Sequence, residues 1–222
     1  MDVFVDVETI PSQRNEAKER AAARVSPPGN ISKAETIAKW EAETRPGKEE
    51  EEWKRSALDG GWGELCCICW AVDDGPVLQS CRPSLEDSEK HMLATFLGAI
   101  SDEQEQQRGR PITWIGHNIT GFDLRFLWQR AVVLGIKPPI KLQQDATPWS
   151  GKVIDTMHTW AGNRGSIKLT DLCAALRIDV GHDDTIDGSM VWDEYKAGRF
   201  YTVLHHCRAD VERVREVYRR MV

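Results

Sequence analysis

A strand of unusual composition lies near the start of the chain, where residues 3–10 read VFVDVETI. Residues 2–8 are apolar enough to be buried on both faces, as the central strands of parallel sheets are. Asp6 and Glu8 nevertheless share one face, because residues two apart in a strand point the same way. At an effective dielectric constant near 20, two carboxylates about 6 Å apart repel each other by roughly 3 kcal/mol. The pair therefore indicates either a cation site or a strand whose end reaches solvent at Glu8.

The size and composition of the chain favour one α/β domain over residues 1–222. Hydrophobic residues make up 41% and charged residues 29% of the sequence, which is ordinary for a soluble globular protein. No apolar run approaches the roughly 18 residues that a membrane span requires. The first residues do not show a basic segment followed by an apolar one. We therefore expect no secretory signal, a cytoplasmic location and no membrane partner.

The net charge of −6 argues against a generally basic nucleic-acid-binding protein. It does not exclude a nuclease. Four active-site carboxylates that bind two divalent cations would by themselves account for about four of those charges.

The six cysteines lie in apolar runs, which is typical of reduced, buried thiols in a cytoplasmic protein. Three of them, Cys66, Cys67 and Cys69, are close in sequence and could begin a zinc site. Such a site is disfavoured, because no second ligand pair follows at a usable spacing.

Hydrophobic periodicity predicts a mixed α/β sheet domain with one early insertion. Five strands are expected, at residues 2–8, 64–74, 77–81, 111–118 and 152–157. Four helices are expected, at residues 84–101, 121–135, 168–178 and 202–221, the first with Ser84 as its N-cap. The polar segment at about 12–62, here named the insertion, is rich in both charge signs and predicts one or two helices and mobile loop.

A third carboxylate is expected near the first pair. The stretch HNITGFD, residues 117–123, leaves a buried strand at Asn118 and enters a helix near Asp123. Ligand sites in open α/β sheets lie at the carboxyl ends of the strands, so Asp123 can face the same crevice as Asp6. By itself, Asp123 also fits an ordinary first-turn acid that interacts with the helix dipole.

The last helix adds an aspartate and two histidines, in the stretch HHCRAD at residues 205–210. Asp210 borders the buried stripe of this helix, about 40° from its centre. His206 lies one turn before Asp210 and on the same side. Taken alone, such a pair is more often a surface pair than a catalytic one, but three acidic stretches in one chain are hard to explain in that way.

Taken together, the stretches resemble the motifs of DEDD-type 3′–5′ exonucleases of the ribonuclease H-like fold. The sequence is similar to the proofreading-like exonuclease domains related to family-B DNA polymerases, including stand-alone versions found in phages and bacteria. DVETIP matches the first motif, NITGFD the second, and HHCRAD the end of the third. The resemblance extends through SIKLTDLCAALRI and MVWDEYKAGRF over almost the whole chain and is weakest in the insertion.

The resemblance implies a mixed five-stranded sheet flanked by helices and a metal-dependent 3′–5′ exonuclease that uses two divalent cations, Mg²⁺ or Mn²⁺. The implied ligands of these cations are Asp6, Glu8, Asp123 and Asp210. Carboxylate oxygens suit such hard cations.

The resemblance also implies residues that contact the substrate. Thr9 and Ile10 would hold the terminal nucleotide, with Ile10 as a wedge against its base. Asn118 and Phe122 would support the site from behind. The implied substrate is a single-stranded nucleic acid, with DNA favoured over RNA, and replication or repair proteins are possible partners. An RNA exonuclease of the same fold and a catalytically silent binding module remain as alternatives.

Two histidines compete for the role of general base. One exonuclease subclass carries tyrosine four residues before the last aspartate, where this sequence has His206. The other carries histidine five residues before it, where this sequence has His205. Helical phase favours His206, since His205 would lie about 140° from Asp210 around a continuous helix.

Overall fold

This computed structural model describes residues 1–147, 150–162, 164–179 and 184–222. The strands are β1 (Asp2–Ile10), β2 (Glu64–Val72), β3 (Leu78–Cys81), β4 (Thr113–Gly116) and β5 (Val153–Asp155). The helices are α1 (Asn15–Arg24), α2 (Ala34–Glu43), α3 (Arg45–Lys54), α4 (Glu89–Gln106), α5 (Asp123–Val133), α6 (Thr156–Ala161), α7 (Leu169–Leu176), α8 (Val191–Lys196) and α9 (Phe200–Met221). Within the described ranges, none of these helices is long and apolar enough to cross a membrane.

The expected α/β fold, a mixed five-stranded sheet flanked by helices, is confirmed. The strand order is β3-β2-β1-β4-β5. The central strand β1 pairs antiparallel with β2 and parallel with β4. The carboxyl ends of β1, β4 and β5 therefore lie at the same edge of the sheet, where the predicted site residues follow them in the chain.

The two faces of β1 enter different cores. Val3, Val5 and Val7 pack with residues of α4 and α5. Phe4 and Ile10 pack on the opposite face with residues of α7, α8 and α9. Asp6 and Glu8 lie on the same face of β1 as Phe4 and Ile10, because they are an even number of residues away, and they point toward α9.

Helix α4 begins four residues later than the sequence pattern suggested. The hydroxyl of Ser84 instead donates to the carboxylate of Asp87 at 3.0 Å, within a turn. Ser88 caps the helix, and its Oγ accepts a hydrogen bond from the backbone N–H of His91 at 3.1 Å. The predicted N-cap at Ser84 is therefore wrong, because the local turn with Asp87 keeps Ser84 outside the helix.

The insertion contains three helices, α1, α2 and α3, and a 3-10 turn at Arg55–Leu58, where one or two helices were expected. Part of it is packed. The indole N–H of Trp53 donates to the Ser12 carbonyl at 2.8 Å, and its ring meets the edge of Trp192 at a centroid distance of 5.4 Å. Helix α2, by contrast, has no buried residue.

Limited proteolysis should separate these two parts of the insertion. Trypsin is expected to cut first after Lys33 or Lys39, because α2 can unfold locally without exposing buried apolar surface. Mass spectrometry of the first fragments measures this. Early cuts after Lys18, in the packed helix α1, or within residues 64–222 would contradict the expectation.

Candidate active site

Asp6 and Glu8 lie side by side on the face of β1 that is covered by α9. Glu8 is buried, and Asp6 is partly buried. One carboxylate oxygen of each lies within 4.8 Å of the other and of Cys207 Sγ. Asp6 Oδ2 is buried and has no hydrogen-bonding partner among the described residues. A buried oxygen without a donor is costly, and a cation would satisfy it.

Asp123 enters the same crevice from the turn between β4 and α5. Asn118 has a left-handed backbone with φ of 59°, and a Cβ atom on Gly121 would collide with the Asn118 side chain. Asp155, at the end of β5, accepts hydrogen bonds from the backbone N–H groups of Asn118 and Thr120 at 3.0 and 3.1 Å. These contacts hold the turn that leads into Asp123, the first residue of α5, which is buried.

Helix α9 brings His206 and Asp210 to the two carboxylates of β1. His206 is 7% exposed, and its Nε2 lies 3.6 Å from Glu8 Oε1 and 3.9 Å from Asp210 Oδ2. His205 is exposed on the outer side of the helix. Of the two candidate bases, the structure therefore brings only His206 to the site.

A second layer of charge, which the sequence reasoning missed, holds this histidine. His206 Nδ1 lies 2.9 Å from Asp184 Oδ2. The Arg213 guanidinium donates to Asp184 and, at 2.6 Å, to Asp210 Oδ1. Asp184 follows residues 180–183, which lie outside the described part of the chain. Its only signal in the sequence is an acidic stretch before α8, with no spacing that links it to His206.

The carboxylates raise one another's pKa values. Burial is the largest cause of the raised pKa of Asp6 and of Glu8, and repulsion from Asp210 and Asp123 adds to it in both. Burial, together with repulsion from Asp155 and Asp210, raises the pKa of Asp123 to about 7. These carboxylates offer oxygen donors, and they resist ionisation while no cation is bound. Such a set of donors fits hard divalent cations such as Mg²⁺ or Mn²⁺.

The raised pKa of Asp123 predicts how stability depends on pH without metal. A carboxyl group whose pKa is higher in the folded chain than in the unfolded chain stabilises the fold at pH values below its unfolded pKa, which is about 4 for aspartate. This stabilisation is lost as the pH rises through the folded pKa of about 7. In EDTA, Asp123→Asn should therefore stabilise the protein at pH 8, on the order of a few kcal/mol, and by only about 1 kcal/mol at pH 5, which is about one unit above the unfolded pKa. Urea unfolding of both proteins at the two pH values measures this. Equal effects at pH 5 and pH 8 would contradict the assignment.

The residues expected to contact the substrate differ in how far they are exposed. Thr9 is partly exposed, and its hydroxyl donates to the Ala57 carbonyl at 2.7 Å. Ile10 is 0% exposed within the core beneath α9, and its expected role as a wedge stays a prediction. Asn118 is half-buried in the turn after β4. Phe122 packs on Phe126 at a centroid distance of 5.3 Å, which fits a supporting role.

An open groove of about 350 Å³ runs beside Thr9. One wall comes from the insertion and the other from the segment that leads into α8. It is lined by Thr9, Pro11, Glu51, Lys54, Arg55, Ala57, Leu58, Gly188, Ser189 and Trp192. Apart from Thr9, the sequence did not assign these residues to a site.

Comparison with known proteins agrees with this architecture. No curated protein matches the chain by sequence. The structure is similar to that of the family B DNA polymerase from the hyperthermophilic archaeon Pyrobaculum calidifontis, with a TM-score of 0.58 and 16% identity. The match covers 99% of this chain and 24% of the polymerase, so the chain corresponds to about a quarter of that protein. At this identity the likeness shows the fold, which is ribonuclease H-like.

A family model matches residues 65–222, which are most of the chain and include Asp123 and the whole of α9. Its description is a predicted 3′–5′ exonuclease related to the exonuclease domain of PolB. The chain therefore belongs to this family of predicted exonucleases related to the PolB exonuclease domain.

Proposed function

We propose that the protein is a metal-dependent 3′–5′ exonuclease that hydrolyses the terminal phosphodiester bond of single-stranded DNA. The observation that carries this proposal is the convergence of four carboxylates from three elements: Asp6 and Glu8 on β1, Asp123 on α5 and Asp210 on α9. The unpartnered oxygen of Asp6 supports it, since a structural acid cluster has no reason to leave a buried oxygen unsatisfied.

These four residues would hold two divalent cations, Mg²⁺ or Mn²⁺. When bound, such cations supply positive charge that lowers the pKa of a water molecule and stabilises the leaving 3′ oxygen. Arg213 already neutralises part of Asp210 through Oδ1, which leaves Oδ2 turned toward His206 and the crevice.

In this proposal His206 acts as the general base. Its Nδ1–H donates to Asp184, which fixes the tautomer and leaves the lone pair of Nε2 directed toward Glu8 and Asp210. A water molecule between these groups could give its proton to Nε2 as its oxygen attacks the phosphorus. Asp184 would act through His206 as a positioning residue, and it would stabilise the imidazolium that forms.

The groove beside Thr9 offers a path for an unpaired strand. Its lining carries both charge signs, with Lys54 and Arg55 beside Glu51, and Trp192 brings apolar surface. Single-stranded nucleic acids bind such grooves through their phosphates and their exposed base faces. The relationship to a DNA polymerase exonuclease domain favours DNA as the substrate.

End-labelled oligonucleotides test the proposal. With Mg²⁺ or Mn²⁺, 5′-labelled single-stranded DNA should shorten progressively, 3′-labelled DNA should release labelled mononucleotide at once, and EDTA should stop both reactions. Faster degradation of the matching RNA would favour the RNA exonuclease instead. Binding of either strand without degradation, in both metals, would favour the silent module.

A further inference from the structure

Four cysteines from three elements of the fold come together beside the carboxylates. Cys67 and Cys69 on β2 lie opposite Glu8 and Asp6 in the antiparallel register, so they share the sheet face that α9 covers. Cys81 on β3 lies opposite Cys67. Cys207, on α9, packs against the same face of the sheet. These residues, Cys67, Cys69, Cys81 and Cys207, are named here the four-thiol cluster.

The sulfur positions of three of these residues, Cys67, Cys69 and Cys207, match those of a thiolate metal site. Cys67 Sγ lies 3.7 Å from Cys69 Sγ and 3.7 Å from Cys81 Sγ. The Sγ atoms of Cys67, Cys69 and Cys207 all lie within 4.8 Å of one another. A tetrahedral site with metal–sulfur bonds of about 2.3 Å has sulfur atoms about 3.8 Å apart. Small side-chain movements would therefore bring these three sulfur atoms to ligand distances, whereas Cys81, which approaches Cys67 alone, would have to rotate inward to become the fourth ligand.

The surroundings of the cluster suit a bound cation. Cys67, Cys69 and Cys207 are fully buried, whereas Cys81 is partly exposed on the edge strand β3 and gives a route of entry. Arg208 lies beside the cluster, where it donates to Gln79 Oε1 at 2.6 Å, and Gln79 lies opposite Cys69. Its positive charge would offset the net negative charge of several thiolates around one divalent cation.

We propose that the four-thiol cluster binds a soft divalent cation of the Zn²⁺ type. As each sulfur bonds to the cation, its thiol proton passes to solvent, so no oxidant or reductant is needed. Sulfur ligands distinguish this site from the oxygen site next to it, which suits hard cations. Cys207 Sγ lies 3.5 Å from the Asp6 carbonyl, so a cation here would tie α9 to β2 and β3 directly beside the strand that carries Asp6.

Cobalt spectroscopy tests this site. The reduced, metal-free full chain is titrated with Co²⁺ in excess Mg²⁺, which occupies the oxygen site. We expect saturable sulfur-to-cobalt charge transfer in the near ultraviolet and intense visible bands typical of tetrahedral cobalt, both removed by Zn²⁺. Cys69→Ser and Cys207→Ser should abolish these bands. Cys66→Ser is the matched control and should keep them, because Cys66 Sγ contacts the Glu8 carbonyl instead.

Circular dichroism of each metal-free variant shows whether it folds. If the two buried serine variants do not, Cys81→Ser at the exposed edge decides, with an expected loss of at least tenfold in Zn²⁺ affinity. Absence of the bands in the wild-type chain, or bands that survive substitution of Cys69, Cys207 and Cys81, would overturn the proposal and leave the thiols as core. Because the readout is spectroscopic, it stands apart from exonuclease activity, and either proposal can fail alone.

Discussion

An Asp6→Asn protein is expected to lose about 10³-fold or more in exonuclease turnover while it stays folded. Cations at such a site stabilise the transition state by several kcal/mol, and each 1.4 kcal/mol corresponds to about a tenfold change in rate. Asn keeps the size of the side chain but removes the charge next to Glu8. Turnover is measured on 5′-labelled single-stranded DNA at saturating Mg²⁺.

The same substitution should not lower the melting temperature in EDTA and should raise it slightly at pH 8. Burial and the neighbouring acids already disfavour the ionised form of Asp6, so neutralising it removes repulsion from the metal-free site. Asp2→Asn, at the other end of the same strand, is the matched control and should keep near-wild-type turnover. Near-wild-type cleavage by Asp6→Asn would remove this residue from the metal site.

His206→Ala is expected to reduce turnover by about 10²–10⁴-fold, the usual contribution of a general base. His205→Ala, one residue away on the same helix, should have almost no effect, because its imidazole is exposed and points away from the crevice. His205→Ala is therefore the matched control for His206→Ala, because both variants lose an imidazole from helix α9.

The pH dependence of turnover distinguishes a general base from a structural histidine. Because loss of a general base removes one proton-transfer step from the reaction, His206→Ala should change the shape of the pH–rate profile relative to the wild type. A packing defect alone would lower turnover equally at all pH values. Small, equal effects of His205→Ala and His206→Ala would mean that no histidine acts as the base.

Local periodicity determined several features of the site before any contact was known. The two-residue repeat of a strand put Asp6 and Glu8 on one face, and the structure has both under α9. The helical repeat put His206 with Asp210 and turned His205 away, as observed. These inferences hold because a side chain's direction relative to its own element follows from backbone geometry alone.

The tertiary structure decided which elements are in contact, and no local pattern in the sequence predicts those contacts. In the sequence, the zinc site at Cys67 was disfavoured because no second ligand pair followed. Strand pairing brings Cys81 to Cys67, and the docking of α9 brings Cys207 there. Asp184 reaches His206 in the same way. The burial of Ile10 in the core beneath α9 likewise follows from the docking of that helix. Contacts of this kind depend on sheet register and helix docking, which arise from the packing of the whole core rather than from any local repeat.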